Sequence, residues 1–82
     1  MKLRVLFFSV LRDITRESEI TVELPRDAAI VSDLLDHLHQ RWPKLREWDE
    51  SLLIAIDQVY AKRHEPLHDN AEVALMPPVQ GG

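Results

Sequence analysis

Between Ile30 and Trp42 the apolar residues Val31, Leu34, Leu35, Leu38 and Trp42 recur at the i, i+3, i+4, i+7, i+11 spacing of one helical face. Such a stripe has to be buried, and a chain of 82 residues has material for one core only. The remaining apolar residues must therefore supply the surface that covers the helix, and their spacing makes that surface a sheet. Leu3, Val5 and Phe7 alternate within Lys2 to Ser9, Ile20, Val22 and Leu24 within Glu19 to Leu24, and Val73 and Leu75 within Glu72 to Met76. Leu52 to Ile56 reads as a buried strand and Val59 to Ala61 as a short edge segment.

Punctuation between these segments is clear in most places. Pro25 ends the second strand and Pro43 the helix. The helix start is ambiguous, because Ser32 can cap while the Ile30 side chain accepts no amide proton. Val10 to Ser18 suits a short helical turn or a wide connection, and the acidic stretch Glu47 to Glu50 reads as a loop. Asp57-Gln58 and His68-Asp69-Asn70 read as turns, with Asn70 suited to a left-handed backbone. The order β, β, α, β, edge segment, β predicts an α+β roll. Its mixed sheet of four to five strands packs on one main helix, with the last strand beside the first.

Charge and composition narrow what such a domain can do. Lys+Arg 10 against Asp+Glu 14 gives a net charge of −4, which speaks against nucleic acid as a partner, since that calls for clustered basic residues. No cysteine is present, which removes disulfides, Cys-rich zinc sites and thiol catalysis. The longest aliphatic run, Leu52 to Ile56, is far short of the ~20 residues a membrane helix needs. Met1-Lys2 leads into a strand pattern instead of a signal peptide, so the expected setting is the cytoplasm, with no membrane partner.

Few residues are placed for chemistry. His37 and His39 lie about 200° apart around a helix and cannot grip one metal, and His64 and His68 read better as solvated loop residues than as ligands. No metal or bound cofactor is expected. Glu47 to Glu50 reads as a solvated segment, not a carboxylate pair poised for catalysis.

The end of the chain, PPVQGG, is different. Pro77 and Pro78 fix two φ angles and donate no hydrogen bond, so the segment must project as an extended tail of at most about 20 Å. The only two glycines of the sequence, Gly81 and Gly82, form its tip. Without side chains they can pass a channel too narrow for any other residue and deliver a terminal carboxylate to a buried centre. An ionised carboxylate is a poor electrophile, so it needs activation, for instance as an acyl-adenylate. A domain this small offers no ATP pocket, so activation falls to a separate enzyme.

With these residues the chain resembles the small sulfur-carrier subunit of molybdopterin synthase, within the ubiquitin-like β-grasp group. The resemblance runs end to end and rests on VLFFSVLRD, VSDLLDHL, AIDQ and PLHDNAEVALMPPVQGG. It implies a β-grasp domain over residues 1–76 and a flexible tail over residues 77–82. Gly82 would be adenylated by an ubiquitin-activating-like enzyme that uses ATP, then converted to a thiocarboxylate with sulfur from a delivering protein. The tail would enter the large synthase subunit, typically in a heterotetramer, and donate sulfur to a cyclic pyranopterin to form the dithiolene. This chain would supply the sulfur and the large subunit the catalytic side chains. Asp57 stands where asparagine is usual in the family, and Gln80 where a small residue often precedes the glycines.

Partner-binding candidates are Phe8, Tyr60 and Met76, predicted to form an apolar patch on the outward sheet face beside the tail's root, together with Pro77, Pro78, Val79, Gln80 and Gly81. Arg12 joins them because an arginine is common at that point in the family. The competing readings are a ubiquitin-like modifier conjugated through Gly82, a carrier for thiamine or transfer-RNA thiolation, and an interaction module with an inert tail.

Overall fold

The computed structural model describes residues 1–27 and 30–78. The alternation at the start of the chain becomes β1 (Lys2–Phe7), with Leu3, Val5 and Phe7 buried and Lys2 and Arg4 exposed. It pairs antiparallel with β2 (Glu19–Glu23), Val5 opposite Ile20, and parallel with β5 (Glu72–Met76), Val5 opposite Val73. On the far side of β5 lies β3 (Leu53–Ile56), followed by the edge strand β4 (Val59–Ala61), giving the order β2-β1-β5-β3-β4. The last strand thus sits beside the first and in the middle of a mixed five-stranded sheet.

The stripe that demanded burial lies on α2 (Val31–Arg41), where Val31, Leu34, Leu35 and Leu38 are buried. Trp42 follows, half-buried, its ring edge-on to Phe7 at 5.5 Å between centroids. Together with Leu11, Leu45, Ile54, Val73 and Leu75 these residues form one core. Each of the fully buried Phe7, Leu11, Leu34, Leu38 and Leu45 contributes roughly 1.5–3 kcal/mol of transfer free energy before entropy is subtracted.

The helix start resolves differently from either sequence alternative. Ile30 is the cap, but through its backbone: the Asp33 carboxylate accepts the Ile30 N–H at 3.2 Å and the Ile30 carbonyl accepts the Asp33 N–H. The carbonyls of Glu65 and Arg63 accept the N–H groups of Val31 and Ser32, so distant backbone satisfies donors that the helix leaves free.

Leu24 and Leu52, expected as strand residues, lie just outside β2 and β3, and two further readings need correction. β1 stops at Phe7 and not at Ser9, because Ser9 adopts φ 55° and turns the chain into α1 (Val10–Thr15), where its carbonyl accepts the Arg12 N–H. α1 ends on Arg16 at φ 61°, the left-handed exit that an αL cap uses. Glu47 to Glu50 is not a loop: it belongs to a 3-10 helix, Pro43–Ser51, anchored by the buried Leu45 and by Asp49, both of whose carboxylate oxygens lie 3.1 Å from Arg63 Nη1. The charges that suggested solvent cover only one side of that segment.

Candidate functional site

With α2 covering one face of the sheet, the opposite face lies open, and strand register decides what it presents. Leu6 stands opposite Ala74, Ala74 opposite Ala55, and Ala55 opposite Tyr60, so four strands contribute one row. The two alanines make a low floor. Phe8 and Met76 stand on the side where β1 and β5 end, Gln58 and Glu72 on the other, and the enclosed groove measures about 380 Å³. Apart from Gln58 and Glu72 its lining is apolar, and its walls are accessible, with Phe8 44% and Tyr60 72% exposed.

From the Glu72 end of the groove onward, at the start of β1 and β5, the same face becomes charged. Arg4 pairs with Glu72 and approaches Glu19, 3.8 Å from Nε to Oε1. The change from Lys2 and Arg4 to Leu6 and Phe8 along one side of β1 is therefore a change across the sheet as a whole. The apolar half borders the end of β5, from which Pro77 and Pro78 continue, both half-buried.

Of the residues singled out from the sequence, Phe8, Tyr60 and Met76 come together in this groove. Phe8 is past the end of β1 yet keeps its place because its N–H donates to the Leu75 carbonyl at 3.2 Å. Arg12 is exposed on α1 and does not line the groove. Val79, Gln80, Gly81 and Gly82 lie outside the described residues. Sequence reasoning missed Leu6, Ala55, Gln58, Glu72 and Ala74 as lining residues; the available signal was a small outward residue in each of two strands, informative only once their register is known.

His37 and His64 are exposed, whereas the other two histidines take structural places. His39 is buried between α2 and the 3-10 helix, its Nε2 3.2 Å from Asp49 Oδ1 without forming a hydrogen bond. His68 is not simply solvated: its Nε2 lies 2.5 Å from Asp57 Oδ2. Among the described residues, no three His, Asp or Glu side chains are grouped so that they could hold a metal ion. No helix among them is long and apolar enough to cross a membrane.

Comparison with known proteins places this geometry. The sequence profile of the ThiS family matches residues 5–82. The chain belongs to the ThiS family. This ThiS-family chain is 35% identical over 85 residues to the molybdopterin synthase sulfur carrier subunit of Mycobacterium tuberculosis, covering 100% of itself and 99% of the relative. Its fold superposes on that of SAMP1 from Haloferax volcanii, a small archaeal modifier protein, with a TM-score of 0.84 at 26% identity, 100% of each chain being covered. It also matches a chain in the complex of subunits 1 and 2 of the molybdopterin-converting factor from Helicobacter pylori, with a TM-score of 0.68 at 26% identity and 100% of each chain covered. The ThiS-family fold is thus the ubiquitin-like β-grasp that the sequence resemblance implied.

Proposed function

We propose that this chain is the sulfur-donating subunit of a molybdopterin synthase. The observation that carries the reading is the end-to-end match to a sulfur carrier subunit of that name, within a family match that extends to Gly82. The structure supports it by opening an apolar groove beside the end of β5, the strand that leads into the tail.

In this reading a separate activating enzyme transfers the AMP portion of ATP to the Gly82 carboxylate and releases pyrophosphate. Hydrosulfide released by a delivering protein then attacks the acyl carbon, displaces AMP and, on losing its proton, leaves a thiocarboxylate. The large subunit seats on the groove, contacting Phe8, Tyr60 and Met76, while the segment from Pro77 to Gly81 guides the thiocarboxylate into its pocket. Sulfur passes there to a cyclic pyranopterin, water replaces it on the Gly82 acyl carbon, and the carrier returns as the free carboxylate. Residues 1–76 act as the docking domain and residues 77–82 as the delivery arm. An apolar centre with charge kept to one end matches the charge-depleted core and polar rim of protein interfaces.

A second reading, a modifier joined to lysines through Gly82, is favoured by the superposition on SAMP1. Purified thiocarboxylated chain mixed with the large subunit and the pyranopterin separates the two. Carrier chemistry yields dithiolene product in proportion to the thiocarboxylate consumed. The modifier reading instead yields no product, and conjugates of higher mass accumulate in cells expressing the chain.

A further inference from the structure

At the end of the sheet opposite the tail, two turns meet, and three of their residues take positive φ without glycine. Asp57 and Gln58, at φ 49° and 71°, connect β3 to β4, and Asn70, at φ 66°, precedes β5. Asp57 and Glu72 are joined twice: the Asp57 N–H donates to the Glu72 carbonyl at 2.8 Å and the Glu72 N–H to Asp57 Oδ1 at 3.0 Å. The 68–70 turn is joined twice to β1, through the Lys2 N–H to Asp69 Oδ1 and the Asn70 N–H to the Lys2 carbonyl, each at 2.7 Å.

His68 bridges these two clamps. Its Nδ1 lies 2.9 Å from the Asp69 carbonyl and its Nε2 2.5 Å from Asp57 Oδ2. Both oxygens only accept. A neutral imidazole has one N–H and can satisfy one of them, whereas the imidazolium satisfies both. We propose that His68 is a pH-operated latch, which as an imidazolium ties the 68–70 turn to the β3–β4 turn and so holds the end of the open-face groove formed by Gln58 and Glu72.

The surroundings agree with a charged ring. Asp57 faces it from the β3–β4 turn and Asp69 from its own turn; Glu72 on β5 is tied to Arg4 on β1, and the charges acting on Asp69 are the Met1 amino group and Arg26. The Asp69 carbonyl, then the Asp57 carboxylate, raise His68 above the ordinary imidazole value. Because the side chains of His68 and Asp57 are 60% and 49% exposed, the proton exchanges freely with water and follows bulk pH. As pH rises through the His68 pKa the ring loses its charge and one N–H: loss from Nε2 opens the tie to Asp57, and loss from Nδ1 sets a lone pair against the Asp69 carbonyl and leaves the Asp57 tie without its ionic part. The latch stands independently of what the groove binds.

The test is an NMR titration of the imidazole and backbone signals of the full chain. The expected result is a His68 midpoint above about 6.5, with both ring nitrogens protonated below it and the Asp57, Gln58 and Glu72 amide signals shifting at the same midpoint. Asp57→Asn keeps an acceptor for the Glu72 N–H and suits a left-handed residue, so it removes the charge while preserving the turn; the His68 midpoint should fall. In His68→Gln the amide shifts should lose that pH dependence. A midpoint at or below 6.5, amides that do not titrate with it, or a midpoint unmoved by Asp57→Asn would each overturn the latch.

Discussion

Ala55 and Ala74 stand directly opposite each other across β3 and β5, on the face that α2 does not cover. With Leu6 and Tyr60 on either side, this pair of methyl groups lowers the middle of the sheet and makes a groove of an otherwise flat surface. Ala74→Phe fills that floor from the solvent side. Large-subunit affinity should fall at least about 30-fold, the effect of losing about 2 kcal/mol at an interface centre. Stability should change by less than about 1 kcal/mol, since nothing in the core is displaced. Titration calorimetry and chemical denaturation read the two quantities separately.

Phe8 tests the wall of the same groove. It is 44% exposed and outside the buried core, so Phe8→Arg should leave the denaturation midpoint nearly unchanged while weakening large-subunit binding by about 2 kcal/mol or more. Unfolding of the variant would instead place Phe8 among the residues that hold the domain together.

Gln58 occupies the second position of the two-residue β3–β4 turn at φ 71°, where glycine is favoured. Gln58→Gly should therefore stabilise the domain by about 0.5–1 kcal/mol, the steric relief exceeding the entropy glycine adds to the unfolded chain. Urea denaturation at a pH where His68 stays protonated measures this free of the latch.

Stability should also depend on pH with opposite signs at the two ends of the range. The Glu72 N–H, and then His68, hold Asp57 below the usual carboxylate range, and the Lys2 N–H does the same for Asp69. A lowered carboxylate contributes fully above about 3.9, and that contribution is lost as pH falls through its folded value. His68 is raised, so its contribution is complete below about 6.5 and is lost as pH rises through its folded value. Thermal unfolding in buffers from acid to pH 9 should show the highest Tm between these limits, and the alkaline decline should flatten in His68→Gln.

The main elements were legible because each carries its own period. Leu3, Val5 and Phe7 report a strand locally, and Val31, Leu34, Leu35 and Leu38 report a helix locally. Positions that depend on distant partners were not legible. Asp33 caps α2 through the Ile30 N–H, Leu45 turns an acidic segment inward, and His68 finds Asp57 eleven residues away. In the groove, Phe8, Tyr60 and Met76 were found because alternation turns Phe8 and Met76 outward beside the root of the tail, with Tyr60 on the neighbouring edge segment. Ala55 and Ala74 were missed because an outward alanine is ordinary until register places two together.

The central claim concerns Gly82, and the most direct measurement is the intact mass of the chain after incubation with ATP, its activating enzyme and a sulfur source. Carrier chemistry predicts a mass increase of one sulfur for one oxygen, located at Gly82 by fragmentation and absent when ATP is withheld. An unchanged mass, with the activating enzyme shown to load another carrier under the same conditions, would contradict the account.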